Sequence, residues 1–76
     1  MENRNYYLKN RNAVEIAVEK IADIFPCFVE IEPVEMGYVK ISIKSREEDA
    51  IPIDRMLYKE YRKNSLNFLK EVVDKQ

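Results

Sequence analysis

The sequence predicts an α+β domain of order β-α-β-β-α, with a three-stranded sheet and both helices packed on one face. Three observations predict it. Two runs of period-two alternation flank Gly37, the only glycine. A stretch with apolar residues at helical spacing lies on each side of that pair. A short aromatic run comes before them all.

Tyr6-Tyr7-Leu8-Lys9 reads as the first strand, and Asn10-Arg11-Asn12 breaks it. Asn12 is the expected N-cap of the first helix, with Glu15 three residues on to close a capping box. Val14, Ala17, Val18, Ile21 and Phe25 then recur at i, i+3, i+4 and i+7, an amphipathic helix of about three turns. Ala13, Ile16, Ala22 and Ile24 are expected to widen its apolar stripe. Pro26 stops it, because the residue before a proline disfavours the helical region.

In Cys27-Phe28-Val29-Glu30-Ile31-Glu32, Cys27, Val29 and Ile31 share one face and Phe28, Glu30 and Glu32 the other. Pro33-Val34-Glu35-Met36-Gly37 connects, with Gly37 in the positive-φ turn position. From Tyr38 to Lys44 the alternation repeats, with Val39, Ile41 and Ile43 inward and Tyr38, Lys40, Ser42 and Lys44 outward. These two strands form a hairpin in which Glu30 and Glu32 are placed to face Lys40. Ser45 to Asp49 reads as a charged loop. Pro52 suits the first turn of the last helix, whose stripe runs Ile53, Leu57, Tyr61, Phe68, Leu69, Val72 and Val73, with Asn64 and Ser65 interrupting it. The preferred pairing sets strand one against strand three, which leaves strand two as an edge.

At 76 residues there is room for a single domain, residues 1–76. A chain this short buries only about 60% of its unfolded surface, so a partner adds usefully to its stability. Hydrophobic residues at 46% and charged residues at 36% fit a folded globule with a well-solvated exterior. The net charge of −1 gives no whole-domain footprint for nucleic acid. No apolar run approaches the ~20 residues that span a bilayer. The opening Met1-Glu2-Asn3-Arg4-Asn5 has no signal-peptide core, so a cytoplasmic location is expected.

Catalytic chemistry finds little to work with. There is no histidine, which removes the usual base for the single cysteine, Cys27, and makes a zinc site improbable. Cys27 reads as a small core side chain. Glycine-rich phosphate loops are excluded by composition, and no cofactor, metal or catalytic residue is expected. Glu30 and Glu32 share a strand face, but nothing in the sequence beyond Phe28 would shift either toward neutrality. Binding remains. An exposed edge strand offers main-chain donors and acceptors to a peptide, with Phe28, Glu30, Glu32, Tyr38 and Lys40 as the contacting side chains. The alternative is nucleic acid held by Arg55, Tyr58, Lys59, Arg62 and Lys63 on the last helix, diluted by Asp54 and Glu60. For that role the sheet is expected to lack a paired aromatic platform. An inhibitor of a larger protein and a homo-oligomer are further expectations of the binding class.

Tyr7, Ala13, Ala17 and Ala22 around the first helix, the alternating acidic hairpin, and the closing cluster Tyr61, Asn64, Leu66, Asn67, Phe68, Leu69 and Asp74 form a recognisable sequence. It resembles the small D-type accessory proteins of His-Xaa-Ser repeat systems, the HxsD-like family. The resemblance spans nearly the whole chain through spacing and residue class. It implies a non-catalytic adaptor that holds a precursor peptide or supports a radical SAM maturase, with the iron–sulfur chemistry carried by that partner.

Overall fold

A computed structural model describes the backbone of residues 1–74 and the side chains of residues 1–65. The elements are β1 (Glu2–Lys9), α1 (Arg11–Ile24), β2 (Cys27–Pro33), β3 (Tyr38–Ser45) and α2 (Ala50–Asp74). The order is the expected β-α-β-β-α. β3 is central in the sheet order β1-β3-β2, and both pairings are antiparallel. β2 is therefore an edge, as expected, and β1 is the other.

Both helices cover one face, here called inner. Tyr6, Val39, Ile41 and Ile43 rise from the sheet to meet Val14, Ala17 and Ile21 of α1 and Ile53 and Leu57 of α2 in one core. The registers align the inner side chains in rows across the sheet. Arg4, Ile43 and Val29 form one row, and Tyr6, Ile41 and Ile31 the next.

Several local expectations are corrected. β1 starts at Glu2, four residues before the aromatic run, because Glu2 to Asn5 pair in register with Ser45 to Ser42. Tertiary pairing overrides the weak strand propensity of Glu-Asn-Arg-Asn. The N-cap of α1 is Asn10. It sits at φ 66°, a conformation asparagine tolerates, and its side chain accepts from the Ala13 N–H at 3.2 Å. Glu15 instead pairs with Arg11 one turn back, at 2.9 Å. The apolar stripe of α1 is narrower than expected: Ala13 is buried, but Ile16, Ala22 and Ile24 are exposed.

The β2–β3 connection places Gly37 at φ +80°, as expected, and Met36 at φ 60° as well. Ser45 to Asp49 is more ordered than a loop. Ser45 ends β3 and is buried, Glu47–Asp49 is one 3-10 turn, and the buried Asp49 accepts from Arg46 Nε at 2.8 Å. In α2, Ile53 and Leu57 are buried and Tyr61 half-buried, as the stripe requires. Phe68, Leu69, Val72 and Val73 lie outside the residues whose side chains are described. Among the described residues, no helix is long and apolar enough to cross a membrane.

Candidate functional site

The face of the sheet away from the helices is open, and its rows place every side chain expected to contact a peptide. Asn3, Lys44 and Phe28 form the first row; Asn5, Ser42 and Glu30 the second; Tyr7, Lys40 and Glu32 the third; Lys9 and Tyr38 the last. Glu32 and Lys40 meet across the strands at 3.8 Å, the expected pairing. Glu30 faces Ser42, and Ser42 donates to Asn5 at 2.9 Å, so Glu30 makes no ion pair with a described residue. Phe28 is 68% exposed and Tyr38 39%. They stand at opposite ends of the face, six β3 residues apart or about 20 Å at strand rise, so they cannot grip one small group together.

Tyr7 is the functional candidate that sequence reasoning missed. It is 57% exposed and sits diagonal to Tyr38 on the neighbouring strand. Tyr7 and Tyr38 thus both stand on the open face. The signal was present: period-two alternation must send Tyr6 and Tyr7 to opposite faces. Lys9 holds its ammonium 5.0 Å from the centre of the Tyr38 ring and covers one side of it.

Each edge has its own inner row. β1 points Glu2, Arg4, Tyr6 and Leu8 toward the helices. Arg4 reaches Asp54 of α2 at 3.2 Å and Glu2 at 3.4 Å. The Tyr6 hydroxyl donates to the other oxygen of Asp54, and its ring meets Tyr58 edge-on, centroids 6.0 Å apart. Burial pushes the Tyr6 hydroxyl well above its ordinary range, and the bond to the Asp54 carboxylate adds to the shift. α2 and a charged cluster thus close the inner side of β1.

β2 has nothing comparable. Its inner residues Cys27, Val29 and Ile31 are half-buried, whereas Val39, Ile41 and Ile43 beside them on β3 are buried. α1 packs beside β2 and adds Val18 and Phe25, also half-buried. Lys20, which lies 3.3 Å from Glu60, turns the other flank of α1 toward α2. At 100° per residue, Val18, Ala22 and Phe25 fall on the flank away from α2. The inner margin of β2 is therefore apolar and only partly covered. Cys27 belongs to this margin. Burial pushes its thiol up, and the charge of Asp49 pushes the same way, which suits an inert side chain.

The basic residues of α2 form a separate feature. Arg55, Tyr58, Lys59 and Arg62 line a shallow groove of about 490 Å³ with Ile51 and Asp54. Lys63 is exposed nearby and does not line it. The expected dilution by acids holds in part, because Asp54 itself lines the groove. Glu60 is buried against α1 beside Lys20, and Asp54 is already engaged by Arg4 and Tyr6. Among the described residues, no group of three His, Cys, Asp or Glu side chains is placed to hold a metal ion. Compared with family models, curated proteins and solved structures, the chain matches none.

Proposed function

We propose that this chain is a non-catalytic adaptor that docks an extended segment of a protein partner by adding it as a strand to β2. One observation carries the reading. The apolar inner row of β2 is left half-covered at an edge with unused main-chain hydrogen-bonding groups. An added strand would supply those bonds and cover Val29 and Ile31 in one step. In the setting implied by the HxsD-like resemblance, that segment belongs to a precursor peptide or to a radical SAM maturase. The test is to titrate both against the chain. Binding of at least one is expected, and silence from both up to about 100 µM contradicts the proposal.

Nucleic-acid binding is the second reading, favoured by Arg55, Lys59 and Arg62 lining one groove on α2. Tyr7 and Tyr38 lie on the opposite layer of the molecule, so one strand cannot engage both them and the groove. Charge reversal at Lys59 and Arg62 is expected to abolish any oligonucleotide binding and flatten its salt dependence.

A further inference from the structure

Resting on the strand-addition reading, we propose that the segment β2 accepts alternates apolar residues with lysine or arginine, its basic side chains set opposite Glu30 and Glu32. A strand beside β2 continues the two faces of the sheet. Its inner side chains fall next to Cys27, Val29 and Ile31, an apolar row beside which Val18 and Phe25 of α1 are packed. Its outer side chains fall next to Phe28, Glu30 and Glu32. Among the described residues Glu30 makes no ion pair, and Glu32 pairs with Lys40 at 3.8 Å. Opposite charges across neighbouring strands stabilise pairing, and like charges oppose it.

The same rule argues against a second copy of β2 at this edge. Antiparallel self-pairing would bring Glu30 and Glu32 of the two copies together on one face. An acidic segment meets the same repulsion. The β1 edge does not fit either occupant, because Glu2 and Arg4 point inward there and any added apolar row would bury them. Pro33 ends β2 and has no N–H, so pairing stops at the hairpin and the docked segment is short.

The test uses three seven-residue peptides and the full chain. One alternates Lys with Val, the second alternates Glu with Val, and the third has the Lys–Val composition in paired blocks that break the alternation. Binding is measured by fluorescence anisotropy at low and physiological salt. The alternating Lys–Val peptide should bind at least tenfold more tightly than either other peptide. In the variant Glu30→Lys with Glu32→Lys the preference should invert toward the Glu–Val peptide. Both positions are exposed, so the variant should fold, which circular dichroism checks. N-methylation of alternate peptide amides should remove binding if main-chain bonds hold the segment.

Equal binding of the alternating and blocked Lys–Val peptides would overturn the inference, since that is charge attraction without a strand. Preference for the Glu–Val peptide by the unaltered chain would overturn the charge assignment and leave strand addition standing. A dimer of the free chain that the double reversal disrupts would give the edge to a second copy and overturn it. Failure of all three peptides to bind would remove the strand-addition reading as well.

Discussion

The two open edges of one sheet are built from opposite materials. β1 carries Glu2 and Arg4 on its inner face, ties Arg4 to both Glu2 and Asp54, and rests Tyr6 against Tyr58. β2 carries Cys27, Val29 and Ile31 on the same face with no charge among them. Both edges expose main-chain groups, and main chain does not distinguish them. An inward charge is a standard guard against unwanted strand pairing, because pairing would bury it. β1 has that guard and β2 lacks it. The outer face of β2 is guarded only by Glu30 and Glu32, which repel like charge and admit a basic partner. The lesson is that edge availability is decided by the inner row, two side chains deep, more than by which strand lies outermost.

The comparison can be broken at several points. The largest effect is expected at Ile41, which is fully buried on β3 between the two edges. Ile41→Ala should cost about 2–5 kcal/mol in urea unfolding, since both edges hang on that row. Next comes the β1 guard. Asp54→Ala strips partners from Arg4 and from the Tyr6 hydroxyl, and should cost about 1–3 kcal/mol. It should leave peptide binding at β2 unchanged.

Tyr6→Phe should cost about 1 kcal/mol at neutral pH. It also has a pH signature. The folded chain holds the Tyr6 proton where the unfolded chain releases it, so this stabilisation is complete below the ordinary value of 10.0 and declines as pH rises beyond it. The slope of stability between about pH 10 and 11 should therefore be shallower in Tyr6→Phe than in the parent chain. The smallest effect is expected at the outer face of β2. Glu32→Gln should change stability by less than about 0.5 kcal/mol, because its pairing with Lys40 is exposed. That near-silence makes Glu30 and Glu32 clean probes of binding.

Most of the fold was legible because the strongest signals are periodic. The alternation of Cys27 to Glu32 and Tyr38 to Lys44 fixed which side chains face the helices, and Pro26 fixed where α1 stops. The start of β1 was hidden, since Glu2 to Asn5 become a strand only through pairing with β3. Asn10 was passed over as a cap because its role needs a positive φ that composition does not announce. The candidate surface was half legible. Phe28, Glu30, Glu32, Tyr38 and Lys40 do share one face, and alternation puts Tyr7 there too, but its place diagonal to Tyr38 comes from the β1–β3 register. The contrast between the edges was out of reach. It depends on Asp54 meeting Tyr6, residues 48 positions apart, and on how far the helices extend over each edge.

Amide hydrogen exchange on both edges, with and without the alternating Lys–Val peptide, tests the central claim most directly. The account predicts that Phe28 to Glu32 on β2 gain protection while Glu2 to Lys9 on β1 exchange as in the free chain. Protection gained on β1 with β2 unchanged would contradict it.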